Sequence, residues 1–176
     1  MRTASEGLDA LVAALRLHGG TVAELVDKQL ADPDGRPGPA QVAASGPRAS
    51  SAPAEYELLL EMICEGIRLH YGPARVVRTD DPDLALLVGD QLYALGLERL
   101  ARLGDIEAVA ELADVISLIA QAQAAGDRKL AGAVWEAGLA AVGWGGGEAF
   151  EEAKQLARAG DERALAALLT CRMPGL

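Results

Sequence analysis

Asp81-Pro82-Asp83-Leu84-Ala85-Leu86-Leu87-Val88-Gly89-Asp90-Gln91-Leu92-Tyr93-Ala94-Leu95-Gly96 is the stretch whose reading decides the fold. Asp81 is a good N-cap, Pro82 fits the first helical position, and Asp83 suits the positive end of a helix dipole. Leu84, Leu87, Val88, Leu92, Leu95 and then Leu103 recur at helical spacing and give a wide apolar stripe. Gly89 and Gly96 lie two turns apart on this helix, where small residues let another backbone come close. Gly104-Asp105 ends the helix and recaps the chain.

The same pattern continues on both sides. Upstream, Tyr56, Leu59, Leu60, Ile63, Ile67 and His70 share one helix face, and Gly72-Pro73 stops that helix because proline cannot continue the hydrogen-bond ladder. Downstream, a helix from about Asp105 to Ala125 is expected to turn Ile106, Val109, Ala113, Ile116 and Ile119 inward. Gly126-Asp127 separates it from one carrying Leu130, Val134, Trp135 and Leu139. After the break at Gly143–Gly147 come a helix with Phe150, Ala153, Leu156 and Ala157 and, past Gly160-Asp161, a short one with Leu165, Leu168 and Leu169. The Gly-Asp junctions are unequally spaced and share no longer motif, so they do not make a repeat array.

The N-terminal stretch reads as two short helices. Leu8, Leu11, Val12 and Leu15 form the first stripe, which Gly19-Gly20 stops. Thr21 and Glu24 suggest a capping box for a second helix with Val22, Leu25, Val26 and Leu30. Residues 32–53 are rich in Pro, Gly, Ser and Ala and nearly devoid of large apolar side chains, so a flexible linker is expected there. The organisation expected is a helical arm over 1–31, a linker over 32–53 and a helical bundle over 54–176.

Composition points the same way. The 176 residues are 51% hydrophobic but only 3% aromatic, with Ala and Leu supplying most of the apolar side chains. Both are strong helix formers, and strand-type β-branched runs are missing, so the fold class is all-α. The formal net charge of −10 repels phosphate backbones and anionic surfaces, which argues against nucleic acid as a partner. No apolar run reaches the roughly 20 residues of a membrane span. The first residues lack the long uncharged core of a signal peptide. Cys64 and Cys171 have neither metal-ligand nor disulfide-framework spacing and read as buried thiols of a cytoplasmic protein.

Candidate chemistry is sparse. Asp80, Asp81 and Asp83 could hold magnesium, but Pro82 makes helix capping the plainer reading. His18 and His70 fall on different helices without metal-ligand neighbours, and His70 reads as a satisfied, partly buried histidine. Ser117 and Cys64 look like helix-face residues rather than nucleophiles. Gly143-Trp144-Gly145-Gly146-Gly147 has neither the preceding strand nor the following Lys-Ser/Thr of a phosphate loop. Gln121 and Gln123 read as half-exposed. No catalytic, cofactor-binding or metal-binding residue is assigned.

The central region resembles the all-trans polyprenyl diphosphate synthases. Leu86-Leu87-Val88-Gly89-Asp90-Gln91-Leu92 is similar to that family's Val-Leu-x-Gly-Asp-x-Leu helix. Ile67-Arg68-Leu69-His70 is similar to the Leu-His that leads into the first aspartate-rich motif. The likeness covers roughly residues 55 to 145. Where the family has magnesium-binding aspartates after Leu-His, this chain has Tyr71, Gly72 and Arg75. The family's arginine motif is missing, and no second aspartate-rich helix follows.

The resemblance therefore implies a helical bundle like a truncated isoprenoid synthase. Its closest likeness is to the non-catalytic small subunit of heterodimeric long-chain synthases, which would shape the product cavity of a catalytic partner. Magnesium and diphosphate would be held by that partner. In the family the Gly-Asp helix and its successor form the dimer interface, which assigns Leu84, Val88, Gly89, Leu92, Leu95, Gly96, Ile106, Val109, Ala113 and Ile116 to partner contact. The stripe itself would serve an intramolecular neighbour equally. The alternative expectation is a helical protein-interaction or homodimerisation module unconnected with isoprenoids.

Overall fold

The computed structural model describes residues 2–27 and 35–173. Among them the regular elements are α1 (Ala4–His18), α2 (Gly20–Glu24), α3 (Pro39–Ala44), α4 (Pro53–Tyr71), α5 (Pro82–Leu103), α6 (Ile106–Ala124), α7 (Arg128–Trp144), α8 (Gly147–Arg158) and α9 (Ala164–Thr170), with a 3-10 turn at Pro47–Ala49. The fold is an all-α bundle. Among the described residues no helix is long and apolar enough to cross a membrane.

The caps are where the local chemistry puts them. Asp81 Oδ1 accepts the N–H groups of Asp83 (2.9 Å) and Leu84 (3.2 Å) at the start of α5. Asp105 and Asp127 accept from Ala108 and Leu130 at the starts of α6 and α7. Gly104 closes α5 in the left-handed region that favours glycine.

Helices α4 and α5 form a close antiparallel pair. A Cβ built on Gly66 would lie 2.7 Å from the Tyr93 ring, one on Gly89 2.6 Å from His70 Cδ2, and one on Gly96 2.7 Å from Ile63 Cδ1. Three glycines thus let the two axes approach with the side chains of the opposite helix filling the notches. Around this pair, Tyr56, Leu59, Leu60, Ile63, Leu100, Leu112, Leu139 and Val142 make one cluster, and α6, α7, α8 and α9 enclose a second around Val115, Ile119, Val134, Phe150 and Leu168.

The expectation for residues 1–53 needs correcting. The N-terminal helices are packed, not a free arm: Leu8, Leu11, Val12 and Leu15 are buried with Met62, Val88 and Leu92. The second helix stops at Glu24, with Gly19 rather than Thr21 at its start. Beyond it Val26 bridges Val77, Asp27 N–H donates to the Val76 carbonyl (2.8 Å), and Arg78 N–H donates to the Leu25 carbonyl (2.9 Å). Those extended pairings compete with further helix. Leu30 lies outside the described residues.

Likewise, part of the expected linker is a helix. In α3 and the following turn Ala40, Ala43, Ala44 and Ala49 are buried in the same cluster as Tyr56 and Leu139. Each alanine buries little area, but small side chains admit close backbone contact, and α3 seats against both α4 and α7. Residues 32–34 lie outside the described residues.

The inward face of α6 is also shifted from the expected one. Ala108, Leu112, Val115, Leu118, Ile119 and Ala122 are buried, Val109 and Ile116 are half-buried, and Ile106 and Ala113 are exposed. With Ile106 at the first helical position, the stripe through Leu112 and Val115 presents more apolar bulk to α7 than one through Ala113.

Candidate functional site

The residues expected to meet a partner divide into two groups. Val88, Gly89, Leu92 and Gly96 are buried inside the chain, against α4 and the N-terminal helices. Leu84 and Leu95 pack on the edge of that same cluster, while Val109 and Ile116 pack beside the α4–α7 cluster. The reason is that α4 and α1 already cover this face. Only Ile106 and Ala113 of the expected set are exposed. On the opposite side of α5, Leu86 and Leu87 are exposed, Leu87 by 66%, and Ile106 at the start of α6 is exposed by 64%. From Ile106 the outer face of α6 continues through exposed Ala110, Ala113 and Ser117, a smooth strip without long side chains.

The candidate reactive groups are placed as follows. Asp80 and Asp83 are exposed beside the capping Asp81. His18 Nε2 lies 3.3 Å from Gln91 Nε2 at the surface. The His70 ring stacks on Tyr93, centroids 5.2 Å apart and nearly parallel. Its Nε2 sits 3.1 Å from Asp90 Oδ1 but makes no hydrogen bond of good geometry, so this histidine is partly buried yet not satisfied as expected. Cys64 and Cys171 are free and partly buried, and burial pushes the Cys64 thiol up, with the Arg75 charge only partly opposing it. Such a thiol stays protonated and is a poor nucleophile. Ser117 is exposed on α6. Gly143 belongs to α7, and the glycines after it join two helices. Gln121 donates to the Arg158 carbonyl (3.1 Å).

Two ionic networks escaped the reading of the sequence. The first is a ladder of buried carboxylates, Glu57, Glu61 and Glu65, one turn apart on α4. Glu65 Oε1 accepts three successive backbone N–H groups, from Arg75 (2.7 Å), Val76 (2.7 Å) and Val77 (3.1 Å). The Arg75 guanidinium bridges Glu65 Oε2 (3.2 Å) and Glu61 Oε2 (2.7 Å). Glu61 Oε1 accepts from the buried Gln41 amide (3.0 Å), which ties α3 to α4. The signal was present as Glu at every fourth position with Arg75 and Arg78 in the loop beyond.

The second network centres on Lys154. Its ammonium donates to Glu111 Oε2 (2.7 Å) and Asp114 Oδ2 (2.9 Å), pairs with Glu151, and lies 5.1 Å from the centroid of Phe150. Arg158 adds a second cation on Asp114, Nη2 to Oδ1 2.7 Å. Burial alone would raise the Asp114 carboxyl, but the hydrogen bonds from Arg158 and Lys154 outweigh it and hold it below the usual range. Oxygens of Glu111, Asp114 and Glu151 come within 4.8 Å of one another, close enough to share a metal ion. The ammonium among them already supplies the positive charge.

In both networks the carboxylates are engaged by the chain's own cations and backbone, an arrangement that braces helices. No family model, curated protein or solved structure matches the chain.

Proposed function

We propose that the chain is a non-catalytic helical subunit that binds a different protein through the outer faces of α5 and α6. The observation that carries this reading is the exposure of Leu86 and Leu87 early in α5 and of Ile106 at the head of the smooth Ala110–Ala113–Ser117 strip of α6. Large apolar side chains left exposed on helix surfaces are found at association surfaces, and here they stand at the two ends of α5. Charge favours a hetero-partner over a second copy. Asp83, Asp90 and Glu107 rim these faces, and the chain carries −10, so a second copy brings like charges together while a partner with a basic rim is attracted.

The resemblance of residues 55 to 145 gives the partner a chemical identity: a polyprenyl diphosphate synthase subunit that itself binds magnesium and diphosphate, whose product cavity this chain would shape. Because Val88, Gly89 and Gly96 face inward, contact in this reading falls to Leu87 and Ile106 instead. A cytoplasmic setting accords with two free thiols.

The test is co-expression with a synthase that has both aspartate-rich motifs, read by sedimentation. The wild type is expected to form a heterodimer with prenyl transfer activity, and Leu87→Glu with Ile106→Glu is expected to abolish it while leaving the helical content intact. A wild-type chain that ignores the synthase and pairs with itself would overturn the reading in favour of a homodimerisation module.

A further inference from the structure

Glu57 differs from the carboxylates above it on the ladder. Glu61 and Glu65 share the inward-facing Arg75, whereas among the described residues the cation paired with Glu57 is Arg2, at 3.4 Å and with its side chain 47% exposed. The Glu57 side chain is itself only 7% exposed. One long contact to a surface arginine leaves it the least engaged carboxylate of the three. Helix α1 packs against one edge of the carboxylate: a Cβ on Gly7 would lie 3.1 Å from Glu57 Oε1 and 2.1 Å from Gln41 Nε2.

The same carboxylate lines a cleft of about 510 Å³ between α1, α3 and the start of α4. Ala44, Pro53 and Ala54 make apolar walls, and Arg2 and Glu6 stand with Glu57 in the lining. Glu6 is engaged in capping α1, where its Oε2 accepts the Thr3 N–H (2.7 Å). The volume lies in the range of small-molecule sites, and an apolar cleft with one fixed polar anchor is their usual construction.

We propose that this cleft is a binding site for an organic cation, a guanidinium on a short apolar stem, anchored by Glu57 and contested by Arg2. A guanidinium presents a planar fork that matches a carboxylate with two parallel hydrogen bonds, and its stem lies along the alanine and proline walls. Arg2 offers the same group from the same chain but reaches only 3.4 Å, so it acts as a weak competitor at the rim. The ligand is either a free alkylguanidine or an arginine side chain of another polypeptide. This inference goes beyond the proposed docking through α5 and α6 and does not depend on it.

The experiment is calorimetric titration of the full chain with n-butylguanidinium and, separately, with a capped Gly-Arg-Gly peptide. Saturable binding is expected, weakened about tenfold or more by Glu57→Gln, as loss of a charge-assisted bidentate contact requires. Arg2→Ala is expected to tighten it several-fold. The tighter of the two probes identifies the source as small molecule or polypeptide. Absence of saturable binding in both wild type and Arg2→Ala overturns the proposal, as does equal affinity in a Glu57→Gln chain of unchanged helicity. If Glu57→Gln unfolds, Arg2→Ala decides, and an unchanged affinity there overturns it.

Discussion

Gly46 and Gly143 meet backbone to backbone: a Cβ added to Gly46 would lie 2.2 Å from the Gly143 carbonyl oxygen, and one added to Gly143 would lie 2.5 Å from the carbonyl oxygen of Ala43. A segment that composition reads as linker is thus locked onto α7 by contacts only glycine permits. Gly46→Ala is expected to cost about 1–3 kcal/mol by overpacking, since the obstacle is backbone and cannot rotate away. Gly132, on the same helix, has open space around its Cα, and Gly132→Ala should stabilise by up to about 1 kcal/mol through helix propensity. Denaturant midpoints of the two variants moving in opposite directions is the expected result. A neutral Gly46→Ala would show that α3 is not seated against α7.

Gly89→Leu probes the α4–α5 seam. The new side chain would enter the space of the His70 ring, which is stacked on Tyr93, and its Cβ would also lie 3.3 Å from the Gly66 carbonyl oxygen. The expected loss is about 1–3 kcal/mol in spite of leucine's better helix propensity. The melting temperature should fall while the oligomeric state stays as in the wild type, because the face is internal. Loss of assembly without loss of thermal stability would instead make Gly89 an intersubunit contact.

How much of this was legible depends on what each segment's neighbours do. The long amphipathic helices α4, α5 and α7 were readable because burial follows period, and Asp81-Pro82-Asp83 announced its own cap. The inward face of α6 was misplaced because Ile106 and Ala113 share a periodic row with Ile116, and only the packing against α7 selects the neighbouring row through Leu112 and Val115. Helix α3 was hidden because its buried residues are three alanines and Gln41, which no apolar stripe reveals. Lys154 was legible in principle: it falls between Phe150 and Ala157 on the buried face of α8, where a charge requires partners. Glu151, one turn earlier, is a local partner, but Asp114 and Glu111 lie 40 and 43 residues away, on α6, and no local pattern links those two to the lysine.

The Tyr56–Asp105 contact predicts stability that fails at both ends of the pH range. The Tyr56 hydroxyl donates to Asp105 Oδ2 (2.6 Å) and Arg48 Nη2 to Oδ1 (2.7 Å). Burial, reinforced by the Asp105 carboxylate, pushes the Tyr56 phenol up to about 12. Burial would raise the Asp105 carboxyl, but the hydrogen bonds from Tyr56, Ala108 and Arg48 prevail and hold it below its ordinary value. A raised phenol contributes stability fully below about pH 10, lost as pH climbs through about 12. A depressed carboxyl contributes above about pH 4, and the contribution is lost as pH falls through its folded value. Melting temperature against pH should show both shoulders, and Tyr56→Phe should diminish the alkaline one, leaving what the raised Cys64 and Tyr93 groups contribute. An unchanged alkaline shoulder in that variant would rule out Tyr56 as its source.

Lys154→Met tests whether the network at α6 and α8 is structural. Methionine keeps the stem packing of a side chain that is 2% exposed, but removes the ammonium from among Glu111, Asp114 and Glu151. Three carboxylates then face one another, with Arg158 left on Asp114 alone. Breaking a fully buried pair by removing one partner costs about 3–5 kcal/mol. Here Asp114 and Glu151 keep 38% and 53% of their side chains in water, so a loss of about 2–3 kcal/mol is expected after screening. The sign of its pH dependence identifies the cause. Protonating the carboxylates below about pH 4 relieves their repulsion in the variant, while in the wild type the stability tied to the depressed Asp114 disappears over the same range. The gap between wild type and variant, read from urea midpoints, should therefore narrow on acidification. A gap that stays constant from neutral pH to below pH 4 would mean that Lys154 stabilises the fold by its packing on Phe150 and not by its charge.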